Sequence, residues 1–480
     1  MAQNQNASAR LAKNTVIYMI GNLGSKILQV LILPLLTAVL LTEEYGYYDL
    51  IVTTINLITP IATLQLVGAM FRYLFGGSEE EKRVTISSVT AALVVGMTIL
   101  AAVIALIQMF GIDLKYPFLI YLNYITNILF DYMQKIARCQ QRNSLVAVSG
   151  VINTSVMLAV EAMALLVFKM RVDGMLLANC VSYFVAVLYL EYKLRIEEYL
   201  SIAAVNVKRV KELLKYSLPL VPNSVCWWVV SACDRYVISF LLSISANGIY
   251  SIAGKFSQML SMITSVFQMA WQESSIIESD KATRDEFYTK TFDSYMRFLL
   301  SGYVVLLPII RLAMPFLVAE EYRIGYLYNP LLLLGAVFSA FSQFYGMGQK
   351  AALFTFVGPF LASTLCGTII AAIINVTVGA CLISKIGLYA PALGTTCAFL
   401  AQWLLRANQM KDYFRVKINT KVLSFMAPTM IVYYALYYKD SVVLHLTMLL
   451  VASIVFCTVN REMIRKILAT VKKKVKSQQY

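Results

Sequence analysis

Crossing the hydrocarbon core of a bilayer takes about 20 mostly apolar residues of helix, and this chain supplies fourteen such runs separated by short polar breaks. They cover 15–41, 47–71, 84–109, 117–134, 145–168, 175–192 and 217–243 in the first stretch. The remainder are 249–272, 298–319, 327–347, 357–382, 388–405, 422–438 and 442–459. A soluble core cannot absorb so many, and the chain is 59% apolar and 14% charged where soluble domains average roughly 45–50% and 25%. Inside lipid each backbone polar group must be satisfied within its own segment, so runs of this length are read as helices. The expected fold is an all-α polytopic membrane protein of about fourteen transmembrane helices. The run 15–41 is too long for a signal-peptide core and lacks a small-residue cleavage site, so it reads as a retained first span.

The basic residues set the orientation. With the N-terminus inside, 31 Lys and Arg fall in inside segments and six in outside segments: Lys115, Lys169, Arg171, Arg323, Lys385 and Lys439. The positive-inside rule then puts both termini in the cytoplasm. The net charge of +15 is explained by topology and anionic lipid, and nucleic acid is not expected as a partner. The basic tail, with Lys472, Lys473, Lys474 and Lys476, reads as a flank that stops transfer and rests on lipid headgroups. Eight scattered cysteines without a CxxC pair read as small packing residues, with no metal site or disulfide framework.

A weak internal repeat runs through the chain. A shift of 202 places Gly46 on Gly248 and Tyr48 on Tyr250, and a shift of 213 places Pro117 on Pro330 and Tyr132 on Tyr345. Six spans separate the copies, an even number, so the halves share one orientation about an axis along the membrane normal. The expected domains are a cytoplasmic N-terminus at 1–14, an N-lobe at 15–192 and a linker at 193–216. A C-lobe at 217–405, two extra helices within 406–459 and a basic cytoplasmic tail at 460–480 follow.

Ionisable residues far from span ends are the informative ones: Lys26, Glu161, Asp234, Arg235, Lys255 and Arg311. Each costs about 2.5–3.5 kcal/mol at the bilayer centre on insertion scales, so each should face water or protein. Four cations against two anions, with Arg72 at the end of span two as a fifth cation, suit an anionic ligand such as a phosphate group. Glu161 and Asp234 are coupling or pairing candidates. Buried pairing explains the same residues: Asp234 with Arg235, and Glu161 with Lys26 or Arg311. Adjacent helical residues point about 100° apart, so Asp234 and Arg235 cannot share a ligand without a helix break. Asp131 and Lys135 form an i,i+4 pair, and the single histidine, His445, is at most a proton relay. Pro34, Pro60, Pro219, Pro222 and Pro359 are candidate hinges, and Tyr47, Tyr48, Tyr433, Tyr434, Tyr437 and Tyr438 suit an outer aromatic belt.

Several stretches carry a family likeness. They are Gly21-Asn22-Leu23-Gly24-Ser25-Lys26, Leu33-Pro34-Leu35-Leu36-Thr37, Glu44-Tyr45-Gly46-Tyr47-Tyr48-Asp49-Leu50 and Ala69-Met70-Phe71-Arg72-Tyr73. Asp234-Arg235-Tyr236, Asn247-Gly248-Ile249-Tyr250 and Phe267-Gln268-Met269-Ala270-Trp271-Gln272 supply the matching half. Together they resemble the Wzx-type polysaccharide flippases of the multidrug/oligosaccharidyl-lipid/polysaccharide (MOP) exporter superfamily. The resemblance implies two pseudo-symmetric six-helix lobes around a cavity, two extra C-terminal helices and alternating access in the bacterial cytoplasmic membrane. It implies as cargo a polyprenyl-pyrophosphate-linked oligosaccharide, with a polysaccharide polymerase and glycosyltransferases as neighbouring enzymes, and no cofactor. Family members often carry Pro where this chain has Gln272, so the bend of span eight is left open. A multidrug or organic-cation antiporter of the same superfamily is the alternative, for which cavity carboxylates are expected. A membrane glycan polymerase or glycosyltransferase is disfavoured: the longest outer loop is about seven residues, and no nucleotide loop, HExxH or catalytic grouping is present. The chain is therefore not expected to be an enzyme.

Overall fold

The computed structural model describes residues 31–74, 77–111, 114–278, 283–352 and 357–465. Among them are 18 α-helices and no strand. The first nine are α1 (Leu33–Val39), α2 (Thr42–Ala62), α3 (Leu66–Leu74), α4 (Glu79–Met109), α5 (Pro117–Cys139), α6 (Asn143–Leu166), α7 (Val172–Leu194), α8 (Val207–Ser217) and α9 (Leu220–Ala232). The others are α10 (Asp234–Leu241), α11 (Ile244–Glu278), α12 (Arg284–Leu317), α13 (Glu320–Arg323), α14 (Asn329–Ala352), α15 (Val357–Ile386), α16 (Tyr389–Met410), α17 (Thr420–Tyr437) and α18 (Val442–Val459). The chain is thus an all-α polytopic membrane protein.

Seven helical segments among the described residues are long and apolar enough to cross a bilayer by length and hydropathy alone. They match spans three, five, six, nine, ten, eleven and fourteen. The other spans miss that standard for physical reasons. Most of span one lies outside the described residues. Span two is two helices, α2 and α3, parted where Leu64 and Gln65 adopt left-handed φ of 49° and 56°. Span seven is also two, α9 and α10, meeting at Cys233. Spans four, eight and twelve carry polar side chains buried against protein, such as Asn123, Ser257, Thr264 and Gln402, and the helix of span thirteen contains Lys421 and three tyrosines.

Capping fixes several helix starts. Ser78 accepts from the Glu81 amide at 3.2 Å while the Glu81 carboxylate takes the Ser78 amide at 3.0 Å. This reciprocal box opens α4 with three glutamates at its positive end. Asn206 caps α8 and Ser441 caps α18. Only 11% of the most apolar stretch of α4 is buried, and the outward face made by Val94, Val95, Ile99, Val103 and Leu106 is the surface lipid would cover.

Loops assigned to one membrane face meet loops assigned to the same face. On the side read as outer, Arg171 pairs with Glu44 at 3.2 Å, and Tyr437 and Tyr438 donate to the carbonyls of Tyr326 and Leu327 at 3.0 and 3.1 Å. On the side read as inner, Arg142 donates to the Lys193 carbonyl at 2.9 Å, Tyr199 to Glu79 at 3.0 Å, and the Lys417 amide to Thr289 at 3.2 Å.

The described residues fall into two compact units. One runs to Ser239 and includes Ser243–Gly248, and the other takes Phe240–Leu242 and everything from Ile249. The core of the first packs Tyr124, Ile128 and Tyr132 of α5 with Leu176 and Leu190 of α7. In the second, Trp271 stacks on Phe344 with centroids 4.2 Å apart and donates to the Phe344 carbonyl at 3.0 Å. Gln272 lies inside an unbroken α11 of 35 residues, which closes the open question of span eight: without proline the helix runs straight through.

The repeat has a physical point of contact in the first unit. A Cβ on Gly46 would collide with the Ile244 carbonyl, and one on Gly248 would collide with the Thr42 carbonyl. These two glycines let the backbones of α2 and α11 touch. Thr42 and Ser245 share a 2.6 Å hydroxyl hydrogen bond there, and Asn247 donates to the Gly46 carbonyl at 3.0 Å. Pro117 and Pro330, the other matched pair, stand in the first turns of α5 and α14.

Candidate functional site

The charged centre of the first unit forms where α2 meets the break between α9 and α10. With the chain turning at Cys233, Asp234 becomes the first residue of α10 and its carboxylate folds back, accepting from the Arg235 amide at 2.9 Å and from Arg235 Nη1 at 3.0 Å. Arg235 Nε donates to Asp49 of α2 at 2.8 Å. The three side chains are 14% or less exposed. The turn at Cys233 precedes both residues, so Asp234 and Arg235 remain neighbours in α10 and pair because the carboxylate reaches the residue after it. Hydroxyls and an indole frame the centre: Trp228 donates to the Thr53 carbonyl at 3.0 Å, Tyr236 bonds Thr54, and Gln65 bonds Ser224 at 2.9 Å.

Asp49 was missed in sequence because it lies two residues inside span two, where it passes for an interfacial residue. Its signal was the Tyr47-Tyr48-Asp49 run in the family-like stretch. Beside Asp49, Tyr48 accepts from Asn179 of α7 at 2.6 Å and interacts electrostatically with Glu161 of α6, which is 2% exposed. The geometry can hold a cation between carboxylates or, with the guanidinium released, an anion.

The remaining candidates are dispersed. Arg311 sits in the second unit, its guanidinium 4.0 Å from the Tyr326 ring centroid and 2.9 Å from Asp440. Asp440 was not among the expected partners, because it lies in a loop far along the chain. Lys255 is half-buried in α11. Arg72 belongs to α3, and its side chain lies outside the described residues, as does Lys26. Asp131 and Lys135 stand 3.8 Å apart at i,i+4. His445 is buried and bonds the Lys439 carbonyl at 2.9 Å, which serves the turn before α18.

The expected outer belt needs correction for two tyrosines. Tyr433 and Tyr437 are 5% and 0% exposed, and Tyr433 donates to the Met448 carbonyl of α18, so both pack between helices. The hinge prolines also differ in kind. Pro34 and Pro219 stand at helix starts, Pro222 in a first turn and Pro60 in the last turn of α2, and near a helix end a missing amide costs little; the surroundings of Pro359 lie outside the described residues. Among the described residues there is no group of His, Cys, Asp and Glu able to hold a metal ion.

Fold and hydropathy define a multi-pass helical membrane protein. The polysaccharide biosynthesis protein family matches residues 11–272, more than half the chain, and the protein belongs to that family. In fold it is similar to the lipid II flippase MurJ in an inward closed conformation, with 14% identity, 95% of this chain and 99% of that one covered, and a TM-score of 0.69. It is also similar to an inward-facing multidrug resistance MATE family transporter of the MOP superfamily, with 13% identity, coverage of 83% and 95%, and a TM-score of 0.61. A third likeness is to a mutant MATE transporter of Vibrio cholerae, with 12% identity, coverage of 86% and 100%, and a TM-score of 0.56. The fold is the one these flippase and MATE structures share. No curated protein matches the sequence.

Proposed function

We propose that the protein is a flippase for a polyprenyl-pyrophosphate-linked oligosaccharide. It moves the lipid from the inner to the outer leaflet of the bacterial cytoplasmic membrane by alternating access, for cell-surface polysaccharide synthesis. The observation that carries this reading is membership of a polysaccharide biosynthesis family in a chain whose fold is that of a lipid II flippase. The lobes at 15–192 and 217–405 are the moving bodies, with 193–216 as linker, 406–459 as added helices and both termini cytoplasmic. Lys26, Arg72, Arg235 and Lys255 are the proposed contacts for the pyrophosphate, and Arg311 serves the outer end. Glycosyltransferases build the cargo and a polymerase consumes it, so the protein itself catalyses no bond change.

The test is deletion of the gene in its native cell. Lipid-linked oligosaccharide should accumulate facing the cytoplasm while surface glycan disappears; unchanged surface glycan would refute the proposal. One observation favours a second reading, a multidrug or organic-cation antiporter: Asp49 and Asp234 flank Arg235, and carboxylates are what such a cargo needs. Drug hypersensitivity of the same deletion strain with intact glycan would select it.

A further inference from the structure

Arg406 lies in α16 one turn before its end, and the positive-inside count treated it as an inside-loop residue. It is 6% exposed. Its Nη1 donates to the carbonyl and the hydroxyl of Ser342 on α14, both at 3.1 Å. The same hydroxyl donates to Gln402 at 2.9 Å, and Gln402 in turn donates to Thr368 of α15 at 3.3 Å. A Cβ on Gly346 would come within 2.9 Å of Nη1, so α14 presents a glycine where the guanidinium lies. The network holds one end of the group and leaves the other: Nε is buried without a partner, and Arg406 enters no ion pair among the described residues.

In a guanidinium the Nε–H and one Nη2–H point the same way, forming the fork that takes two oxygens of a carboxylate or phosphate. A buried cation without a counter-ion is expensive, and polar groups inside membranes mark ligand paths. The residue directly follows the apolar run 388–405 and stands four positions from the end of α16, about 6 Å at 1.5 Å per residue, on the side read as inner. We propose that the Nε/Nη2 edge of Arg406 binds a phosphate oxyanion carried on a lipid, entering when α14 and α16 part at this end. The lipid is either the pyrophosphate-linked cargo, an assignment that rests on the flippase reading, or an anionic membrane phospholipid.

The test uses the full chain in phosphatidylcholine nanodiscs, with thermal unfolding followed by tryptophan fluorescence. Inorganic pyrophosphate is titrated in one arm and phosphatidylglycerol is added to the disc in the other. The wild type should be stabilised in at least one arm: pyrophosphate without phosphatidylglycerol points to the cargo, and phosphatidylglycerol alone points to the phospholipid. Arg406→Lys should need about tenfold more anion for the same shift, since a point charge lacks the fork, and Arg406→Gln should lose the response. Arg406→Lys matching the wild type, Arg406→Gln keeping the response, or a wild type indifferent to both anions would overturn the proposal and leave the network as helix packing. Failure of the flippase reading appears separately, as unchanged surface glycan on gene deletion, and does not alter the anion response.

Discussion

At the scale of single residues, Arg235 and Arg311 look alike in sequence and differ in what they hold. Arg235 stands between two buried carboxylates, so Arg235→Ala takes a guanidinium from both, and by analogy with soluble proteins losing one partner of a buried pair should cost up to about 3–5 kcal/mol. The expected result is sharply reduced protein in the membrane, measured by immunoblot of the membrane fraction, with Asp49→Asn in the same background partly restoring it. Normal abundance would refute the pairing energy and leave the guanidinium only its proposed ligand role. For Arg311 the partner Asp440 is 97% exposed, and an exposed pair is worth about 0–1 kcal/mol. Asp440→Ala should therefore leave the unfolding midpoint nearly unchanged. Losing the aromatic stack through Tyr326→Ala should cost more, because cation–π attraction and ring burial go together.

Helices that are packed by small residues respond to small additions. Gly46 and Gly248 bring α2 and α11 together at a distance no Cβ permits, and overpacking in a filled interior typically costs 1–3 kcal/mol. Gly248→Ala should lower the unfolding midpoint in detergent, whereas Gly254→Ala, on the same helix with nothing within 4 Å of an added Cβ, should be neutral or slightly stabilising. Equal effects from the two substitutions would remove the argument that the repeat meets at this contact. The same scale explains span seven: Pro219 and Pro222 start α9, Cys233 ends it, and the restart at Asp234 lets one carboxylate serve the arginine beside it.

At the scale of the whole chain, loop contacts within each unit sort its connections into two faces, and the positive-inside rule gives the expectation of which face is cytoplasmic. In a cysteine-free background, Lys169→Cys should react with a membrane-impermeant maleimide from outside the cell, and Glu198→Cys should react only after permeabilisation. Both positions are exposed, so a reversed pattern would invert the topology. Asn247 would be a poor reporter, because it is fully buried against the Gly46 carbonyl.

Hydropathy alone determined the class, the spacing of the spans and their alternation, because in a bilayer the penalty for an exposed backbone leaves helix as the one option for each apolar run. Gly46 and Gly248, matched in the expected repeat, stand at a close backbone contact that leaves no room for a Cβ without a shift. The partners of the charges were not legible. Asp49 meets Arg235 across 186 positions and Arg311 meets Asp440 across 129, and hydropathy records where a charge lies along a helix but not which neighbouring helix its side chain faces. For the same reason Arg406 read as a loop cation until α14, α15 and α16 closed around it: burial belongs to the packed helices, and only the tertiary structure decides it.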